Sequence, residues 1–438
     1  MRTAIIGLGI TGFSCVKHLH GRDDLVVVDS RDEPPFLDEV RARFPEVELH
    51  LGVQTYAFDS VNRAIVSPGI ALHSCLVKAA HGKVDLLSDI DLFCDVISQP
   101  VIAITGTNGK STVTSLVGHL SRHAGRKTAV GGNLGEPALD LIDDAAAGYV
   151  IELSSFQLER LAPHDFCSAA ILNLSEDHLD RHGDMAAYIA SKQRIYRNCE
   201  LAVAYREDAR TSPVTEVARL VTFGIDEPAQ DQWGVRISAG ARYLACGEEL
   251  VIGCSELPLA GRHNELNVLA AFALLMNAGI SNSELAAGVK SFSGLPHRCQ
   301  RITEVAGVSY INDSKATNVG ATLAALEGFA EQGAPRLILI AGGDGKGVDF
   351  RPLRQPVERY VKAVVLLGRD AKKIADALDD STAVHHVADM SQAVARAAEI
   401  ATAGDLVLLS PACASLDMYE NFAARGDEFA RYAKGLAA

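Results

Sequence analysis

Seven residues constrain this chain more than any others: Gly106-Thr107-Asn108-Gly109-Lys110-Ser111-Thr112, between the apolar run Val101–Thr105 and a helical pattern from about Ser111 to His123. A glycine-rich turn joining a strand to a helix N-terminus lines up backbone N–H groups as a phosphate cradle. It lets a lysine reach the outer phosphates and a serine hydroxyl meet Mg²⁺. The stretch departs from the strict G-x-x-x-x-G-K-[ST] spacing, because position 104 is isoleucine. The strand before it and the helix after it still give the context the motif needs, so ATP is the expected ligand of Gly106 to Thr112. The alternative is a structural Lys-Ser helix start.

A second glycine turn, Gly7-Leu8-Gly9-Ile10-Thr11-Gly12, follows the strand-like Thr3–Ile6 and opens a helical stretch to Leu19. Asp29 ends the next strand, Leu25–Val28. This G-x-G-x-x-G in a βαβ start suits a nucleotide diphosphate, with NAD as the conventional reading and a merely tight strand–helix turn as the alternative. Oxygen and imidazole groups also cluster. Glu152 ends the strand Tyr149–Leu153, and Asp177-His178-Leu179-Asp180-Arg181-His182 follows Ala169–Leu172. Hard oxygens at strand ends beside a phosphate loop suit Mg²⁺, although each residue alone reads as a solvated loop charge.

The last third alternates strand and helix, with strands expected at Val308–Ile311, Arg336–Ala341, Ala363–Leu367 and Leu406–Leu409. Such alternation implies a parallel sheet under helices, with ligands at the strands' carboxyl ends. Three loops there, Asn312 to Asn318, Gly342 to Gly347 and Ser410 to Ser415, are polar or glycine-rich, and two carry a lysine. They favour an anion site.

At 438 residues, 48% hydrophobic and 22% charged, the chain implies several globular domains. Breaks at Ser98-Gln99-Pro100 and Ser293-Gly294-Leu295-Pro296 divide it into 1–97, 98–295 and 296–438. The fold class is α/β with three domains: a Rossmann-like N-terminal domain, a central P-loop ATPase domain, and a Rossmann-like C-terminal domain. The central domain combines a parallel sheet with a small β part around the hairpin-like Trp233–Ile252, and a helix from about Glu265 to Met276. A net charge of -14 argues against nucleic acid and anionic membranes as partners. Nine scattered cysteines signal neither a disulfide framework nor structural zinc. The N-terminus reads as no signal peptide, and the longest apolar run, Val268–Met276, is too short to span a bilayer and reads as a buried helix. A cytoplasmic monomer is the expectation.

The motifs taken together carry a resemblance. GLGITG, SPGIAL at 67–72, TGTNGKST at 105–112, ELSSFQLE at 152–159, NLSEDHLDRH at 173–182, GRHNELN at 261–267, PHRCQ at 296–300, NDSKATN at 312–318, GGDGKG at 342–347 and SPACASLD at 410–417 resemble, in order, the Mur ligases. Within them the resemblance points to the branch that adds D-glutamate to UDP-N-acetylmuramoyl-L-alanine, through an acyl phosphate made from ATP with Mg²⁺. It implies Lys110, His178, Lys192 and Lys315 as catalytic residues, and Asn267, Arg298 and Asp313 as further ATP contacts. It implies Ile10, Thr11, Ser30, Arg31, Gly69, Asn133 and His178 for the UDP-sugar, and Thr317, Lys346, Ser415 and Phe422 for D-glutamate. The implied metal ligands are Ser111, Glu152, His178 and, if carbamylated, Lys192.

Overall fold

The computed structural model describes residues 1–259, 261–331, 337–378 and 382–436. The chain forms two compact units. One comprises Met1–Arg236, Ala245–Val251 and Leu269–Gly288; the other comprises Ile237–Leu244, Ile252–Val268 and Val289–Ala438. Three sheets carry the fold.

The first sheet has five parallel strands in the spatial order Glu48–His50, Asp24–Val28, Arg2–Ile6, Arg63–Val66, Asp85–Leu87. The chain builds outward from Arg2–Ile6 to one side and then the other. The glycine turn after Ile6 therefore lies at the switch point, where the strand ends leave a crevice for a ligand.

The second sheet has nine strands, with Val101–Thr105 between Ser168–Ile171 and Gly148–Glu152. Thr128–Gly132 forms one edge; Leu201–Tyr205, Arg219–Phe223, Trp233–Ser238, Ala241–Cys246 and Glu249–Gly253 continue on the other side. Every residue of Val101–Thr105 is buried, as a central parallel strand covered on both faces requires. The following helix, Lys110–His123, buries Val113, Leu116, Val117 and Leu120, the three-and-four spacing of one helix face. Each such side chain stabilises the fold by about 1.5–3 kcal/mol, which anchors the turn that precedes it.

The third sheet runs Gln300–Val305, Val308–Asn312, Leu406–Leu409, Leu337–Ala341, Val361–Leu366, Ala383–His386. The strands expected here form a parallel sheet, and it gains an edge strand not expected from the sequence: Gln300–Val305 pairs antiparallel with Val308–Asn312. The two-residue turn between them, Ala306 and Gly307, has φ of 51° and 76°, the left-handed pair that matches hairpin twist. The other pairs are parallel. Arg336, expected to open a strand, lies outside the described residues. All nine cysteines are free thiols. No helix among the described residues is long and apolar enough to cross a membrane.

Candidate active site

The first glycine turn divides its labour. A Cβ on Gly12 would stand 2.0 Å from the Gly7 carbonyl oxygen, so this glycine lets the helix close onto the strand, whereas a Cβ on Gly9 would meet nothing within 4 Å. Gly9 thus faces open space where a ligand can approach the backbone. Asp29 is fully buried, and its carboxylate accepts from Leu8 N at 2.7 Å and from Arg31 N, Nε and Nη2 at 2.9, 2.9 and 2.6 Å. Burial pushes this carboxyl up, but the hydrogen bonds from Arg31 and Leu8 outweigh it and hold the group below its ordinary value. Asp29 therefore braces the turn and aims Arg31, the opposite of the exposed ribose ligand that NAD binding needs.

Ile10, Thr11, Ser30, Arg31, Gly69 and Asn133 all line one cleft of about 500 Å³. Gln157, absent from the sequence reading although it lies in ELSSFQLE, lines it too. Asn133 ties this cleft to the end of the strand paired with Val101–Thr105, since its N and Nδ2 donate to the Glu152 carbonyl and Oε1 at 2.8 and 2.7 Å.

In the phosphate loop Gly106 and Gly109 have φ of 152° and 82°, and Gly109 caps the helix that starts at Lys110. The Asn173 side chain clasps Asn108, accepting from its N at 2.8 Å and donating to its carbonyl at 2.9 Å. Thr107 Oγ1 lies 3.1 Å from the Tyr188 hydroxyl. Lys110 Nζ folds back onto the Gly106 and Thr107 carbonyls at 2.9 and 2.7 Å, while Ser111 and Thr112 are buried in the first helical turn.

Lys192 is 1% exposed and donates to Thr105 Oγ1 at 3.1 Å and the Gly106 carbonyl at 2.9 Å, with the Tyr188 ring centroid 4.8 Å away. Burial, and then the charge of Lys110, push its amine well below the ordinary lysine value. Glu152 is buried, and its Oε2 has no hydrogen-bond partner among the described residues. An orphaned carboxylate oxygen beside a phosphate loop fits a hard divalent cation, whose other ligands would be water and phosphate. No group of three His, Cys, Asp or Glu residues among those described could hold a metal by itself. His178, at φ 53°, opens the short helix Leu179–His182 and packs its ring 4.9 Å from that of Phe156.

The second unit gathers the remaining implied residues. Asp313 accepts from Ser410 Oγ at 2.9 Å and from Cys299 N at 3.2 Å, and burial raises its pKa to about 6. The neighbouring Arg298 is partly buried. Asn267 donates to Asn264 Oδ1 at 3.1 Å along the helix Arg262–Leu274. Lys315 Nζ sits 4.0 Å from the centroid of the Phe422 ring, and Thr317 N donates to the Lys315 carbonyl at 2.8 Å. Lys346 is exposed at φ 53°, held by its N to Asp344 Oδ1 at 3.0 Å, and Ser415 is buried. Sequence reasoning missed Arg425, which is 2% exposed and donates to the Ser314 and Cys413 carbonyls at 2.8 and 3.1 Å. It ties the Asn312–Asn318 loop to the Ser410–Ser415 loop.

Three family models match the chain. Residues 1–86 match the model for the Mur ligase MurD-like N-terminal domain, 104–275 the Mur ligase middle domain, and 297–413 the Mur ligase glutamate ligase domain. The chain is 46% identical to the UDP-N-acetylmuramoylalanine--D-glutamate ligase of Marinobacter nauticus, covering 99% of this chain and 98% of that one. Against the ligase of the same name from Pseudomonas aeruginosa the identity is 47%, over 99% and 98%. Among solved structures, MurF from Acinetobacter baumannii superposes with a TM-score of 0.63 at 16% identity, over 98% of this chain and 93% of that one. UDP-N-acetylmuramate-alanine ligase MurC from Thermotoga maritima superposes at 0.61 and 18%, over 99% of both. At those identities the two structures speak for the fold.

Proposed function

We propose that this chain, which belongs to the Mur ligase family, is an ATP-dependent ligase that adds D-glutamate to UDP-N-acetylmuramoyl-L-alanine in peptidoglycan precursor synthesis. The observation that supports the reading is the Asn133–Glu152 pair: Asn133 lines the cleft read as the sugar-nucleotide site, and Glu152 ends the strand paired with the one that leads into the phosphate loop.

In this reaction the substrate carboxylate attacks the γ-phosphorus of ATP, a C–O–P bond forms and ADP leaves. The amine of D-glutamate then attacks the acyl carbon, and phosphate departs as the amide forms. Both steps crowd anions together, so the residues must supply positive charge and exclude water. Gly106, Thr107, Asn108, Gly109 and Thr112 would cradle the phosphates. Lys110 would leave its two loop carbonyls for the outer ones, and Asn267, Arg298 and Asp313 would contact the nucleotide. Ser111, Glu152, His178 and a carbamylated Lys192 would hold Mg²⁺, which supplies charge neutralisation to the phosphates when bound. Carbamylation proceeds through the neutral amine, the form that burial of Lys192 favours.

Ile10, Thr11, Ser30, Arg31, Gly69, Asn133 and His178 would hold the UDP-sugar, and Thr317, Lys346, Ser415 and Phe422 the D-glutamate, with Lys315 beside them. On this reading 1–97, 98–295 and 296–438 serve sugar nucleotide, ATP and amino acid respectively. The enzyme would act as a cytoplasmic monomer on small molecules. An NAD-dependent reading has no support at Asp29, whose carboxylate is engaged by Leu8 and Arg31. Phosphate release measured with each of ATP, Mg²⁺, UDP-N-acetylmuramoyl-L-alanine and D-glutamate omitted in turn tests the proposal. Release should need all four, and release that persists without the sugar nucleotide would refute it.

A further inference from the structure

The loop Ser67–Ile70 forms one wall of the sugar-nucleotide cleft. One side of it is fixed by Ser67 Oγ donating to the Gly7 carbonyl at 2.6 Å. The other side presents three consecutive carbonyls, and arginines from far along the chain meet them. Arg181 Nη2 donates to the Pro68 and Ile70 carbonyls at 3.3 and 3.1 Å, and Nη1 reaches the Gly69 carbonyl at 3.4 Å. Arg160 Nη2 donates to the Ile70 carbonyl as well.

Arg181 is itself aimed. Glu159, 7% exposed, accepts from its Nη2 at 2.9 Å and its Nε at 3.3 Å. The Phe156 ring packs against the Arg181 guanidinium at 4.7 Å and against the His178 ring at 4.9 Å. A planar guanidinium with a fixed fork of donors can hold several carbonyls in one arrangement, which an ammonium cannot.

We propose that Arg181, seconded by Arg160, is a positioning residue that sets the cleft wall at Gly69 and Ile70 and couples sugar-nucleotide seating to His178. The inference rests on the reading of the cleft as the sugar-nucleotide site. Arg181 touches neither substrate nor nucleotide in this scheme. It acts through the loop it grips, and misplacing such a wall by about 1 Å is enough to cost substantial transition-state positioning.

Steady-state kinetics of Arg181→Met, Arg181→Lys and Arg160→Met, with UDP binding by calorimetry and thermal melting, test the proposal. Arg181→Met should raise the KM for UDP-N-acetylmuramoyl-L-alanine and the Kd for UDP about tenfold or more, leave the KM for ATP within about twofold, and melt near the wild type. Arg181→Lys should fall between the two. An unchanged sugar-nucleotide KM, or a uniform rise for all substrates with a lowered melting midpoint, overturns the proposal. Should Arg181→Met fail to fold, Arg160→Met, which keeps the Arg181 fork, decides by a smaller but selective rise. If the wild type released no phosphate, the functional reading would fail, and the UDP Kd alone would still judge the clamp.

Discussion

Removing the Asp29 carboxylate separates a structural brace from a ligand contact. In Asp29→Ala the Leu8 N–H, in a turn whose Leu8 is 0% exposed, loses its acceptor at 2.7 Å. A buried donor left unsatisfied costs about 1–3 kcal/mol. The three bonds to Arg31 add little, since that side chain is 47% exposed and water replaces them. With each kcal/mol worth about 2–4 °C in a unit of this size, the melting midpoint should fall by roughly 2–12 °C at pH 7.5. Asp29→Asn keeps an acceptor for Leu8 and should lose less.

The pH dependence has a definite sign. The folded-state pKa lies below the unfolded value, so the contribution is present above the ordinary carboxyl range and is lost as pH falls through the folded value. The deficit of the alanine variant should therefore shrink toward acid pH. Differential scanning fluorimetry across pH, paired with the KM for the sugar nucleotide, makes the measurement. An alanine variant that melts with the wild type at pH 7.5 would refute the brace.

The two glycines of the same turn should part company: Gly12→Ala, with its Cβ 2.0 Å from the Gly7 oxygen, should lower stability measurably in a melt, whereas Gly9→Ala should melt normally and bind UDP poorly by calorimetry. Lys192→Met should keep the fold, because a buried amine is exchanged for an apolar chain of similar length, while phosphate release falls by about 100-fold or more. Asp89 is buried, its Oδ1 has no hydrogen-bond partner among the described residues, and burial followed by the charge of Asp91 raises its pKa from 3.8 to about 6. That raised value favours the fold below the unfolded pKa, and the advantage is lost as pH rises through about 6. Asp89→Asn should thus stabilise by up to about 3 kcal/mol at pH 8 and by about half as much at pH 5, read from denaturant midpoints.

The residues that speak through local backbone chemistry were legible in the chain itself. Gly106 to Thr112 announced a strand–turn–helix, and six of the seven residues that the family resemblance implies for the UDP-sugar line one crevice, His178 being the one that does not. Other features depended on partners distant in sequence. Lys192, in Ser191-Lys192-Gln193, reads locally as an exposed helix residue; only its contacts with Thr105 and Gly106, more than 80 positions earlier, bury it. Asp29 carried a motif's usual meaning until its hydrogen bonds assigned it elsewhere. The strand Gln300–Val305 was missed because it alternates weakly, carries a register shift between Arg301 and Thr303, and turns through Ala306-Gly307 instead of Asn-Gly. Edge strands of three residues, Glu48–His50 and Asp85–Leu87, are too short to show a period.

The central claim is ligation of one particular amino acid. It is tested most directly by phosphate release and product mass with ATP, Mg²⁺ and UDP-N-acetylmuramoyl-L-alanine, while D-glutamate is exchanged for L-glutamate, L-alanine or a diamino acid. The account predicts release, and a product heavier by one glutamyl residue, with D-glutamate alone. Equal or faster turnover with any of the others would contradict it.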